Sequence, residues 1–146
     1  MSRVISDAQK QLIKVVLPNL ITIGNNNYTA SKLWSNQTVT SYPSILCNIS
    51  NDGVENGIYD IIDGTLYYSC ILTIHIRAKS EIGKDSGAVV CETFAQHIID
   101  TISSWTDPLH EDVRIFNPRE DITGVGFLGY QSDVFDYVIS VKLYHS

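Results

Sequence analysis

From Cys70 to Lys79 the chain alternates without a slip. Cys70, Leu72, Ile74, Ile76 and Ala78 fall on one side at period two, and Ile71, Thr73, His75, Arg77 and Lys79 on the other. Successive side chains of a strand point to opposite faces, so the stretch LYYSCILTIHIRAKS predicts one long strand with a dry and a wet side. After a short break at Glu81 to Asp85 the period changes. Cys91, Phe94, Ala95, Ile98, Ile99, Ile102 and Trp105 recur at spacings of three and four, with Glu92, Gln96, His97, Asp100 and Ser103 opposite. This pattern predicts an amphipathic helix lying across one face of a sheet.

The same patterning extends in both directions. Ser6-Asp7-Ala8-Gln9 reads as a capping box opening a first helix, which Pro18 ends near Leu17. Residues 18 to 43 are polar and Asn-rich, with Gly24 to Asn27 as a loop and Lys32-Leu33-Trp34 as a short strand. Tyr42-Pro43 introduces a clear strand with Ile45, Cys47 and Ile49 on one face. Asp52-Gly53, Asn56-Gly57 and Asp63-Gly64 mark a wide, turn-rich connection, within which Ile58 to Ile62 can pair briefly. Beyond Asp107-Pro108, strands are predicted over Asp112 to Asn117 and Val134 to Tyr144. In the last, Phe135, Tyr137, Ile139, Val141 and Leu143 share a face. The expected fold is α+β, a mostly antiparallel sheet of about four to five strands with two helices packed on one face. The order is helix-strand-strand-helix-strand-strand, in a single domain over residues 1–146.

Composition narrows the function. The formal charge is −6 and no run of Lys or Arg exists; Arg77, Lys79 and Lys84 come nearest to a patch. Tight binding along a phosphate backbone needs clustered cations, so sequence-specific nucleic-acid binding is not expected. The N-terminus lacks the apolar core of a signal peptide and no stretch approaches 18 apolar residues, so a cytoplasmic chain with no membrane span is expected. On that expectation the Asn-x-Ser/Thr triplets at Asn27, Asn36 and Asn48 are chance matches.

Candidate chemistry is thin. Gly124-Val-Gly126-Phe-Leu-Gly129 matches a dinucleotide fingerprint in letters, yet that motif works only between a strand and a helix whose N-terminus holds a pyrophosphate. The reading favoured here is a flexible glycine loop bearing exposed apolar residues, Val125, Phe127, Leu128 and Tyr130, which marks a partner surface. His75 beside Arg77 has no nucleophile near it in sequence. Cys47, Cys70 and Cys91 sit on apolar faces and read as buried small hydrophobes rather than metal ligands. Asp60, Asp63, Glu120 and Asp121 lack calcium-loop spacing. No catalytic residue, cofactor or metal is expected. Trp105 continues the apolar stripe of its helix, whereas Trp34 is either a plug for the end of the sheet or an interface anchor.

Trp34, Asn36, Gln37 and Pro43 spell a Trp-x-Asn-Gln followed by a Pro-led strand. With LTIHIRAKSEIGKDSGAVVCETFAQHIIDTISSW, a further strand, a Gly-rich stretch and a final strand after it, the chain resembles the tail-terminator proteins of tailed bacteriophages, the neck-terminator branch in particular. The resemblance implies a virion structural protein and not an enzyme. It implies a homo-oligomer, a hexameric ring that caps the tail tube, ends its polymerisation and docks onto the head-side connector protein. Genomic DNA would pass through a lumen that is commonly acidic in this family, without specific binding. Trp34, Val125, Phe127, Leu128 and Tyr130 are then the candidate subunit or partner contacts.

Overall fold

A computed structural model describes residue 17 and residues 20–34, 41–51, 58–59, 66–80, 85–104, 122–131 and 134–145. Its elements in chain order are β1 (Leu20–Ile23), β2 (Asn26–Thr29), β3 (Ser31–Trp34), β4 (Ser44–Asn51), β5 (Ile58–Tyr59), β6 (Leu66–Lys79), α1 (Gly87–Ser103), β7 (Ile122–Gln131) and β8 (Val134–His145). The main sheet runs β3-β4-β6-β8-β7, with the two-residue β5 pairing with the start of β6. Every pair along it is antiparallel except β3 with β4, which is parallel.

The long alternating segment is the centre of this sheet. β6 pairs with β8 over twelve positions, Tyr68↔His145 to Lys79↔Val134, and with β4 over eight. Directly opposed residues in an antiparallel pair share a face. Leu72, Ile74 and Ile76 therefore sit level with Val141, Ile139 and Tyr137 on one side, and with Ile49, Cys47 and Ile45 on the other. Leu72, Ile74, Ile76, Ile139, Val141, Leu143 and Ile45 are all fully buried. α1 covers this face with Val90, Cys91, Phe94, Ala95, Ile98 and Ile102, also buried. Removing Phe94, the largest of them, to Ala would cost on the order of 3–5 kcal/mol. The expected dry side of both elements is the core.

The start of α1 is held from three directions. The Ser86 hydroxyl accepts from the Val89 amide at 3.3 Å, and the Gly87 amide donates to the Ser80 hydroxyl at 2.8 Å. A Cβ on Gly87 would lie 2.8 Å from the Ala78 carbonyl oxygen and from a Phe135 ring carbon, so only glycine lets the helix sit down on β6 and β8 here.

Two expectations change, and two further points bear on the architecture. The segment expected to be irregular after Pro18 contains a hairpin, β1-β2, turning at Gly24-Asn25 with Gly24 at φ 58°. Its Ile21 and Tyr28 enter the core, so Asn26 and Asn27 belong to a strand and not to the loop. The glycine loop at Gly124 to Tyr130 is a strand. Glycine scarcely favours strands by itself, and pairing with β8 at eight positions overrides this preference. The strand order contains a parallel pair that alternation cannot reveal. One helix is described rather than two. The first expected helix, apart from the buried Leu17, and the strand expected over Asp112 to Asn117 lie outside the described residues.

Candidate functional site

β7 is an edge strand and its ladder carries two irregularities, between Ile122 and Gly124 and between Phe127 and Gly129. Such bulges twist an edge and blunt further strand pairing. Between them Val125 stands opposite Ile139, and Phe127 opposite Tyr137, on the side of the sheet that α1 covers. The helix rests on β6 and β8 and stops short of this edge. Val125 and Phe127 are each 46% exposed, and Phe127 stacks edge-on against Tyr137 (ring centroids 4.9 Å) and Phe135 (6.0 Å). An exposed aromatic propped by two half-buried ones is pre-ordered for a contact, because little side-chain entropy remains to be lost. Val89, exposed on α1, faces solvent on the same side of the molecule. Of the five contact candidates, Val125 and Phe127 meet here. The side chains of Trp34, Leu128 and Tyr130 lie outside the described ones, and Trp34 is placed only by its backbone, in register with Cys47 at the end of β3.

The opposite face is the expected wet one. Thr73, His75, Arg77 and Lys79 of β6 lie across from Ser140, Val138, Asp136 and Val134 of β8, and Lys142 lies across from Ile71. Asp136 is the hub. Its carboxylate accepts from His75 Nδ1 at 3.0 Å and from Arg77 Nε at 3.4 Å. An ionised carboxylate only accepts, so Nδ1 is the donor in this contact. Sequence reasoning found His75 and Arg77 but not their partner, since Asp136 is about sixty residues away and only the β6-β8 register brings it in. The β7 positions paired with Ser140, Val138 and Asp136 on this face are Gly124, Gly126 and Gly129, which bring no side chain, and Gln131 lies opposite Val134 at the end of the strand. β7 turns directly into β8 and no helix follows it, which removes the structural context of a dinucleotide motif.

No protein-family model matches this sequence, and no curated protein shows significant similarity to it. The geometry therefore stands by itself.

Two other features bear on chemistry. A small cleft of about 160 Å³ lies between the β1-β2 hairpin and the start of α1, bordered by Tyr28, Tyr42, Pro43, Lys79 and Asp85. Ligand pockets run to roughly 300–1,000 Å³. The Asp85 carboxylate beside it is occupied, accepting from the Tyr28 hydroxyl at 2.6 Å and the Asn26 amide at 3.3 Å. Cys47 and Cys91 are buried free thiols, each pushed up to about 12, by burial above all. A thiol held protonated in this way is a packing group and not a nucleophile. Among the described residues no cluster of His, Cys, Asp or Glu is arranged to hold a metal ion, and no helix is long and apolar enough to cross a membrane.

Proposed function

We propose that this chain is a virion structural protein of the tailed-phage neck. In this reading it forms a hexameric ring that caps the tail tube, ends tube polymerisation and joins the tail to the head-side connector protein, leaving a channel through which genomic DNA passes. It is made in the host cytoplasm and ends in the virion. The observation that carries the reading is the propped, exposed pair Val125 and Phe127 on the uncovered edge of an otherwise well-packed sheet. Contiguous exposed apolar surface marks assembly contacts. The resemblance to neck terminators over Trp34 to Pro43, and the long strand followed by the amphipathic helix, support the same conclusion.

Native mass against protein concentration, with the same samples imaged by negative stain, tests it. Closed rings near six times the 16.3 kDa subunit are expected, formed alone or on added tail tubes. Open-ended polymers would instead make the chain a tail-tube subunit. A monomer that also fails to bind tube ends would remove it from the neck altogether.

One observation favours a more distant reading, a small α+β enzyme or ligand-binding module. The Asp136-oriented His75 has the arrangement of a general base. A bound small molecule on purification, or an activity lost in His75→Ala with the ring unchanged, would turn the assignment that way.

A further inference from the structure

The β1-β2 hairpin is anchored at both ends and fastened in between. Among the described residues β1 and β2 pair only with each other, so no backbone ladder joins the hairpin to the main sheet. On the entry side, the Leu17 carbonyl accepts from Lys32 Nζ at 3.2 Å. On the exit side, past Ala30, the Ser31 amide donates to the Pro43 carbonyl at 3.1 Å and β3 begins. Between these ends, three hydrogen bonds tie the hairpin to Asp85. The carboxylate Oδ2 accepts from the Tyr28 hydroxyl and the Asn26 side-chain amide, and the Asp85 backbone amide donates to the Tyr28 hydroxyl. The cleft of about 160 Å³ lies behind them, with Asn27, Tyr28 and Thr29 from the hairpin and Pro43, Ala78 and Val90 from the body on its walls.

We infer that β1-β2 is a hinged flap, latched on Asp85 through Tyr28 and Asn26, that pivots at its anchored ends and gates this cleft. A ribbon whose backbone bonds are internal can lift without breaking the main ladder. Opening gives up chiefly the burial of Ile21 and Tyr28 and the bonds to Asp85. β6, in contrast, is bonded along both edges, to β4 over eight positions and to β8 over twelve, and opens only with the whole fold. At the hairpin tip nothing lies within 4 Å of where a Cβ on Gly24 would stand, so no packing holds the turn at that point. Closed, the cleft is smaller than pockets that hold a ligand, roughly 300–1,000 Å³. With the flap lifted, Tyr28 leaves its wall, and the Asp85 carboxylate is freed beside the apolar Ala78 and Val90.

Hydrogen exchange of the full-length protein, read by peptide mass spectrometry against denaturant, tests the flap. A detached two-stranded ribbon is marginal, so its amides exchange whenever the flap lifts. The β1-β2 amides should share one opening, at least about tenfold more frequent than that of β6 and β8 and with a shallower dependence on denaturant, because less surface is exposed. A thiol placed under the flap by Val90→Cys should be alkylated at the rate set by that same opening, with circular dichroism verifying the fold. Tyr28→Phe and Asp85→Ala should each raise the hairpin opening at least about tenfold, as for loss of a hydrogen bond to a charged group. Their combined effect should fall well short of the product of the two, because both remove one latch. Hairpin amides protected as long as those of β6 and β8 would overturn the flap. Frequent hairpin opening with the Val90→Cys thiol still unlabelled would overturn the gating, and fully multiplicative effects of the two substitutions would overturn the latch.

Discussion

Tyr28 and Asp85 exchange hydrogen bonds in both directions. The Tyr28 hydroxyl donates to the Asp85 carboxylate at 2.6 Å and accepts from the Asp85 amide at 3.0 Å. These residues are 57 positions apart, and the exchange ties the β1-β2 hairpin to the chain just before α1 begins. The hairpin is a two-stranded unit separate from the main sheet, and such a ribbon is marginal by itself. Its attachment therefore depends on Ile21 and Tyr28 in the core and on this polar clamp.

The clamp should be pH-dependent. The Tyr28 hydrogen bond, helped by Asn26, holds the Asp85 carboxyl below the ordinary aspartate range against a smaller opposing effect of desolvation. Because the folded value is the lower one, the contribution is fully present above the unfolded value, near pH 4. It is lost as pH falls through the folded value. Tyr28→Phe should lower the melting temperature at neutral pH and flatten the acid limb of the stability profile. A variant whose melting temperature keeps the full wild-type slope below pH 4 would show that Asp85 takes its environment from elsewhere.

Gly87→Ala should be costly out of proportion to its size. The added methyl would clash with both the Ala78 carbonyl, which is backbone, and the Phe135 ring. A destabilisation of about 1–3 kcal/mol is expected by denaturant titration, as for other overpacked sites. In an exposed helix interior the same change would stabilise by roughly 0.5–1 kcal/mol. The sign of the effect therefore decides whether the helix start is seated on β6 and β8 as described.

The buried thiols should be silent until the protein opens. With Cys47 and Cys91 pushed up to about 12, almost no thiolate exists at neutral pH and neither sulfur is accessible. Alkylation followed by peptide mass spectrometry should leave both unmodified in the native protein and label both in denaturant. The Cys91 thiol points at the Ile76 and Phe135 carbonyls, so Cys91→Ser would place a stronger donor at that spot and should be tolerated better than Cys91→Val. Rapid native labelling of either cysteine would mean that α1 leaves the sheet frequently.

Val125→Ser combined with Phe127→Ser should separate folding from assembly. Both side chains are about half exposed, so the folded monomer should lose only about 1–2 kcal/mol, part of it from the Phe127 contacts with Phe135 and Tyr137. If the proposed ring forms, it should fail to close in this variant at concentrations where the wild type is fully assembled. Intact rings from the double variant would take the β7 patch out of the interface.

Alternation determined more of this protein than any motif did. Leu72, Ile74 and Ile76 and the stripe from Cys91 to Ile102 could be assigned to the core from spacing alone, because a strand and a helix repeat at fixed periods whatever surrounds them. The exposure of Val125 and Phe127 was also legible, though as a loop, since three glycines in six residues argue locally against a strand. Tertiary structure alone decided the rest. The parallel seating of β3, the Asp136 partner of His75 and the Tyr28–Asp85 clamp each join residues distant in sequence, and local periodicity holds no information about which distant segment supplies the missing hydrogen bonds. Which charged residues share a face was decided in the same way. Lys142 and Lys79 share a surface only because β8 lies beside β6 in one register, and a shift of a single residue would have placed Lys142 on the other face.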